Sequence, residues 1–291
     1  MMSSMSKLLK NTILLSSLAA CTLFGADTQT LLEEYLTNQL DNNPAVKEGS
    51  VKVLDKKPLE EIKGWDAYIV DLDVMLKRGN KKIHQKSIFF SNGRYLTTDF
   101  TDIRTGDSLR DKIKPKFDPK FYDEEHLISG SKNSKYKVAI FSDPLCPFCR
   151  RYVPKALKEM MQDPNKYAVY YYHLPLPRIH PASVTLVQAM KAAELKGEKP
   201  DIMKLYTQIQ PDNPKKPNYV AYREKDKKKI LKVFNKVMGT HVTLKDIESK
   251  EVQEHVNKDK KISDELMVGG TPTVYFNGEY DKSKHKYKNA K

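Results

Sequence analysis

The spacing of apolar residues changes along the N-terminal part of the chain. In 27–40 they recur at helical intervals, which predicts a short amphipathic helix. In 68–76 they occupy every second position, which predicts a half-buried antiparallel strand. Asn92 and Gly93 then stand between two apolar runs and favour a type I′ hairpin turn with two positive φ angles. Residues 27–108 are therefore predicted to form a small α+β unit, one helix followed by a meander.

The segment 109–135 has a different composition. It is charged, contains Pro115 and Pro119, and ends in a run of Ser, Gly, Lys and Asn. The two prolines should interrupt any helix that begins there. The segment is predicted to be a linker.

The remaining segment, 136–291, alternates between strand and helix patterns. A β-rich apolar run at 137–142 predicts a buried strand, and a helical pattern follows it. The later elements predicted are a strand at 168–173, helices at 182–195, 201–209, 222–238 and 245–267, and a strand at Thr273–Phe276 with an Asn277-Gly278 hairpin. Strand, helix, strand, helices and hairpin is the order of a thioredoxin-like domain with a helical insertion.

The first residues look like an export signal. Lys7 and Lys10 precede an apolar run at 12–24 that is too short to span a bilayer, and small residues follow it. Residues 1–26 are therefore predicted to be a signal peptide, which places the protein in the periplasm. Residues 18–21 also resemble the lipobox of bacterial lipoproteins, in which Cys21 would carry lipid. Cleavage near Ala26 would instead remove Cys21.

The charge of the chain is strongly basic, with 51 Lys and Arg against 37 Asp and Glu. The lysines are spread along the chain and often lie beside acids, which is typical of a solvated surface. No nucleic-acid recognition motif is present, so no nucleic-acid partner is expected.

The folded part of the chain retains two cysteines, Cys146 and Cys149. Lying between a predicted strand and a predicted helix, Cys146 would sit at a helix N-terminus, where unpaired N–H groups and the helix dipole stabilise a thiolate. Cys149, one turn further, would be shielded and suited to resolving a mixed disulfide. Arg150 and Arg151 are expected to be exposed and to add a smaller effect.

Two other uses of the pair are weaker. A structural zinc site needs about four ligands, and only His173 and His180 lie near in sequence. A structural disulfide across two residues would stabilise little through loop entropy. The sequence therefore predicts a redox centre that uses no metal and no cofactor.

Two prolines support this interpretation. Pro154 falls five residues after Cys149 and should kink the helix, as in thioredoxin-fold enzymes. Pro272 follows Gly-Gly-Thr and precedes a strand, the position of the cis-proline that lies against the cysteine pair in that fold. The backbone of Thr271 would then touch bound substrate.

The motif at 143–149, the Thr271-Pro272 pair and the small N-terminal unit resemble the DsbC/DsbG family of periplasmic thiol:disulfide interchange proteins. The resemblance implies an α+β fold with an N-terminal cystatin-like dimerisation domain (27–108), a linker and a C-terminal thioredoxin-like domain. It also implies a V-shaped homodimer whose apolar cleft holds unfolded or misoxidised exported proteins. The site residues it implies are Cys146 and Cys149 as catalytic residues, with Pro147, Phe148, Thr271 and Pro272 as motif and substrate loop.

The chain departs from its relatives at two positions of the site. Pro147-Phe148 is closer to the DsbG type of dipeptide, and Phe148 lacks the imidazole that strong oxidases place there. Ile140 stands where thioredoxins carry a buried acid, so proton transfer would need another group.

Three functions fit this sequence. The first is a dimeric isomerase or reductase kept reduced by a DsbD-type membrane partner. The second is a dithiol oxidase recharged by a DsbB-type partner, and the third is a chaperone for unfolded periplasmic proteins. The N-terminal unit favours the first, and so does Thr271, because strong oxidases tend to carry valine there.

Overall fold

The computed structural model describes residues 27–291. The predicted signal peptide and lipobox, including Cys21, lie outside the described residues. Within 27–291, no helix combines the length and the apolar character needed to cross a membrane.

The N-terminal part consists of one helix packed on an antiparallel sheet. Leu32 and Leu36 of the helix are buried against Val53, Tyr68 and Val70 of the sheet. The elements in chain order are α1 (Thr28–Asp41), β1 (Val46–Pro58), β2 (Asp66–Leu76), β3 (Lys82–Ser91) and β4 (Leu96–Thr97). The strands pair in sequence order, so the predicted helix and meander are confirmed.

The turn after β3 differs from the prediction. Gly93 has a positive φ of 85°, whereas Asn92 does not adopt one, and the strands resume pairing only at Ser91 and Leu96. The reason is that the Asn92 side chain accepts hydrogen bonds from the N–H groups of Arg94 and Tyr95, at 3.1 and 2.8 Å. Such a side-chain turn replaces the two-residue type I′ turn.

The turn at Asn277-Gly278 agrees with the prediction. Both residues have positive φ, 48° and 84°, and the flanking strands pair directly across them. These strands are β8 (Thr273–Phe276) and β9 (Glu279–Tyr280).

Part of the predicted linker is ordered structure that packs on, or belongs to, the C-terminal sheet. It contains a helix α2 (Leu109–Ile113), which ends before Pro115 as expected, and a strand β5 (Leu127–Ser129). Between them, Phe117 and Phe121 are buried in a cluster of aromatic residues. Apolar side chains spaced along a charged segment thus give it a place in the core.

The C-terminal sheet has the order β5-β7-β6-β8-β9. Its central strand β6 (Tyr136–Ser142) runs parallel to β7 (Tyr167–His173) and antiparallel to β8. The helices are α3 (Pro147–Met160), α4 (Pro181–Leu195), α5 (Ile202–Thr207), α6 (Lys227–Met238), α7 (Leu244–Ile247) and α8 (Lys250–Glu265). The order of strands and helices matches the predicted thioredoxin-like domain with a helical insertion.

The helix predicted at 245–267 is divided in two. Ser249 begins a new helix, because its side chain accepts a hydrogen bond from the N–H of Val252 at 3.3 Å. Serine at this position supplies a partner for an N–H group that has none within the helix. Pro154, in contrast, lies inside α3, which continues through it.

Candidate active site

Cys146 is the N-terminal cap of α3, directly after the loop that follows β6. Pro147 occupies the first helical position, where its missing N–H is not needed. The carbonyl oxygen of Cys146 accepts the first helical hydrogen bond from Arg150, at 2.9 Å. The sulfur therefore lies at the positive end of a fourteen-residue helix, as the sequence predicts.

The pKa values of the two thiols are shifted in opposite directions. A hydrogen bond from the Cys149 thiol is the largest influence that lowers the pKa of Cys146, to about 5, against the opposing effect of partial burial. The backbone N–H groups of Cys149 and Phe148 act in the same direction. Burial raises the pKa of Cys149 far above its ordinary value. Near neutral pH the centre thus holds one thiolate and one thiol.

Both cysteines are reduced and buried in this structure. Cys146 is 4% exposed and Cys149 is fully buried, so the attacking sulfur is itself largely covered. The reason is the loop before β8, whose Thr271 carbonyl oxygen lies 3.5 Å from the Cys146 sulfur.

The peptide bond between Thr271 and Pro272 is cis, as the sequence analysis predicts. Because β8 pairs with β6, the residues just before β8 lie beside the residues just after β6. The Thr271 hydroxyl is buried and has no well-formed hydrogen bond among the described residues. It nevertheless faces both sulfurs closely enough to lower the pKa of each.

The two arginines behave differently from each other. Arg150 is half-buried, which corrects the expectation of an exposed side chain, and it donates to the carbonyl oxygens of Pro144 and Ile209 at 3.2 and 2.6 Å. The guanidinium of Arg151 lies 5.0 Å from the ring centroid of Phe148, which is 64% exposed. Because Ile209 belongs to the helical insertion, the hydrogen bond from Arg150 connects α3 to that insertion.

A thioredoxin family model matches residues 123–291, more than half of the chain. A curated relative from Bacillus cereus, named probable disulfide bond formation protein D, is 32% identical over 152 residues, which are 51% of this chain and 68% of the relative. The chain is a thiol–disulfide oxidoreductase of the thioredoxin-fold Dsb family.

Other proteins are also similar to this chain. The corresponding protein of Bacillus anthracis is 31% identical over the same lengths. The crystal structure of oxidised BdbD from Bacillus subtilis has a TM-score of 0.44 at 19% identity, covering 60% of this chain and 90% of that chain. Residues 27–122 of this Dsb-family protein precede the segment matched by the family model.

A groove of about 630 Å³ borders the redox centre of this Dsb-family protein. Phe148 and Tyr152 line one side, and the 269–273 loop lines the other. The lining of the groove contains no carboxylate and four cationic side chains, those of Lys114, Arg151, Lys155 and Lys284. An apolar floor beside the sulfurs, with a cationic rim, suits a polypeptide segment.

The histidines considered as zinc ligands lie in other contacts. His180 Nδ1 is 3.1 Å from a carboxylate oxygen of Asp143, and the backbone N–H of His173 donates to Asp259 at 2.8 Å. Neither of the two potential metal-ligand clusters among residues 27–291 includes a cysteine.

Polar residues behind the cysteines were missed by the sequence analysis. Ser142, the last residue of β6, is fully buried and accepts a hydrogen bond from the Tyr206 hydroxyl at 2.7 Å. Tyr206 in turn hydrogen-bonds with the hydroxyl of Tyr171. Only the fold brings these side chains together, because Tyr206 comes from the helical insertion. Within the sequence, the run of three tyrosines at 170–172 is the one feature that could have indicated polar groups in this part of the core.

Proposed function

We propose that this protein is a dithiol oxidase that introduces disulfides into exported proteins. The observation that carries the proposal is the position of the Cys146 sulfur at the N-terminus of α3, beside Cys149, whose hydrogen bond lowers the pKa of Cys146 to about 5. A stabilised thiolate favours the reduced form, and a centre that favours its reduced form is a strong oxidant.

The proposed reaction begins with a Cys146–Cys149 disulfide. A substrate thiolate attacks the Cys146 sulfur, and the electron pair leaves on Cys149, which takes up a proton. A second substrate thiolate then attacks the substrate sulfur of this mixed disulfide, and Cys146 leaves as a thiolate. A DsbB-type membrane partner would remove two electrons to restore the disulfide. In this scheme Pro147 and Phe148 shape the redox motif, while Thr271 and Pro272 contact substrate.

The relatives support this direction of electron flow. The two Bacillus proteins bear names for disulfide bond formation, and they match at 32% and 31% identity. The groove beside the sulfurs supports a polypeptide as the substrate, and the periplasm is the compartment proposed for the reaction.

The redox state of the protein in intact cells tests the proposal. Acid quenching followed by alkylation should find Cys146 and Cys149 mostly as a disulfide, because an oxidase is kept oxidised by its partner. A mostly reduced pair would overturn the proposal and favour a disulfide isomerase or reductase.

An isomerase remains the second candidate, because the N-terminal α+β unit precedes the segment matched by the thioredoxin model. In the DsbC/DsbG type such a unit forms the dimer, and a DsbD-type partner keeps the cysteines reduced. Large apolar side chains are exposed on this unit: Leu31 is 42%, Tyr35 51% and Tyr95 59% exposed. They border one depression between α1 and the end of β3.

We expect a homodimer that forms through residues 27–108. Tyr35→Glu should convert the dimer to a monomer, because an unpaired charge buried in the interface costs about 3 kcal/mol. Sedimentation velocity at micromolar concentration measures this. Ile103→Glu is the matched control, since Ile103 is 96% exposed and lies outside the depression. A wild-type protein that sediments as a monomer would contradict the expectation.

Thr271→Val should slow the release of substrate while leaving the reduction potential nearly unchanged. The Thr271 hydroxyl makes no well-formed hydrogen bond to either sulfur, so its loss should cost no more than a neutral hydrogen bond, about 0.5–1.5 kcal/mol, which corresponds to about 10–30 mV. The same residue lines the groove, so its replacement should accumulate substrate-linked mixed disulfides. Non-reducing gels of cell extracts show such species. Normal turnover without trapped complexes would mean that this loop is not the substrate side.

A further inference from the structure

Cys149 must carry negative charge during exchange, yet it is fully buried. The position that holds a buried acid in thioredoxins is occupied here by Ile140. The buried acid Asp143, three residues before Cys146, is engaged in other hydrogen bonds. Its Oδ1 accepts from Leu145 N at 2.7 Å, and its Oδ2 accepts from Leu176 N at 2.8 Å and from Ser183 Oγ at 3.1 Å. Neither position therefore supplies a free carboxylate, and hydroxyl groups, that of Thr271 among them, are left to stabilise the Cys149 sulfur.

Three buried hydroxyls form a chain that leads to this sulfur. Ser142, Tyr206 and Tyr171 are 0%, 2% and 3% exposed. Tyr206 uses its one hydrogen to donate to Ser142 Oγ at 2.7 Å, so its oxygen is left to accept from Tyr171. Ser142 lies two residues after Ile140 on β6, so the two side chains share one face of the sheet. Ile140 packs in the same buried cluster as Cys149, which places the remaining hydrogen of Ser142 on the side of the Cys149 sulfur.

We propose that Ser142, oriented by Tyr206 and Tyr171, donates a hydrogen bond to the Cys149 sulfur whenever that sulfur becomes a thiolate. Each hydroxyl in the chain polarises the next, so the last donor is stronger than an isolated serine. Ser142 is a catalytic residue in this scheme because it touches a reacting atom. Tyr206 and Tyr171 are positioning residues.

The step is balanced without any further reactant. When Cys149 attacks a mixed disulfide, the Cys149–Cys146 bond forms and the bond between Cys146 and the outer sulfur breaks. The electron pair leaves on the outer sulfur, and the proton lost by Cys149 goes to that sulfur or to water. In the reverse direction Cys149 is the leaving group, and the same hydrogen bond stabilises it. The titratable groups around the sulfur are Cys146, Tyr171 and Tyr206.

Stopped-flow reaction of the reduced protein with the aromatic disulfide dithiobis(nitrobenzoate) separates the two sulfurs. The first coloured thiolate released reports attack by Cys146, and the second reports resolution by Cys149. Ser142→Ala should leave the first phase within about twofold and slow the second about tenfold near neutral pH, the loss of one hydrogen bond to a charged group. The pH at which the second phase reaches half of its maximal rate should rise by about one unit in Ser142→Ala. Tyr206→Phe should slow the second phase less.

Tyr170→Phe is the matched control. Tyr170 lies next to Tyr171 in β7, is 1% exposed, and its hydroxyl has no hydrogen-bond partner among the described residues. A second phase that Ser142→Ala changes no more than Tyr170→Phe does would overturn the proposal, and so would equal slowing of both phases. The inference rests on the proposed roles of the two cysteines. If Cys146 and Cys149 did not have these roles, the wild-type protein would lack the first phase. The redox state of the protein in cells tests the oxidase proposal and leaves the role of Ser142 untouched.

Discussion

Cys146→Ala is expected to reduce disulfide exchange to the uncatalysed background, whereas Cys149→Ala should trap exported proteins in mixed disulfides. Cys146 supplies the thiolate, and without it no bond to substrate forms. Cys149→Ala retains an attacking sulfur but loses the thiol that releases the substrate. Non-reducing gels and mass spectrometry of the purified variants measure both results.

The two sulfurs should also differ in their reaction with an alkylating reagent. With a pKa of about 5, Cys146 is about nine-tenths thiolate at pH 6, where an ordinary thiol is almost fully protonated. Labelling should therefore occur first at Cys146. Mixed disulfides that survive in Cys146→Ala, or faster labelling of Cys149, would reverse the roles of the two residues.

The reduced protein is expected to be more stable than the oxidised protein near neutral pH, and this advantage should shrink in acid. The folded-state pKa of Cys146 is about 5, below its ordinary value of 9.0, so between these values the unfolded chain binds more protons than the folded one. The stability contributed by the thiolate is thus fully present above about pH 9 and is lost as pH falls through 5. The slope is at most about 1.4 kcal/mol per pH unit.

Thermal or denaturant unfolding of both redox forms from acidic to neutral pH measures this difference. Groups that titrate in both forms, such as His126, cancel in the comparison. Cys146→Ala, which cannot form the disulfide, is the control, and its stability should lack the pH dependence that the thiolate gives the reduced wild-type protein. An oxidised form that is the more stable one at neutral pH would mean that the thiolate is not stabilised, and the oxidase proposal would fail with it.

Elements with a strong local pattern could be predicted from sequence. Apolar spacing predicted α1 and β6, and the known order around a Cys-x-x-Cys motif predicted the place of Cys146 and the cis bond before Pro272. β1 was missed because most of its side chains are exposed and polar, and pairing with β2 rather than burial holds it in the sheet.

Features that depend on tertiary contact could not be predicted. β5 has only three residues, and its place in the sheet follows from its pairing with β7. The Asn92 turn follows from a competition between side-chain and backbone hydrogen bonds. Ser142 and Tyr206 are 64 positions apart and meet only in the folded protein.

The burial of Phe117 limits where the chain can be shortened. Its ring packs against Phe141, Tyr172 and Tyr275, with ring centroids 6.3, 5.6 and 5.5 Å away, and its N–H donates to the carbonyl oxygen of Gly278 at 2.8 Å. A catalytic fragment that began at residue 123, where the match to the thioredoxin family begins, would lack the Phe117 ring and have a cavity in its core. Loss of such a ring typically costs about 3–5 kcal/mol. The smallest self-sufficient catalytic fragment therefore begins before Phe117.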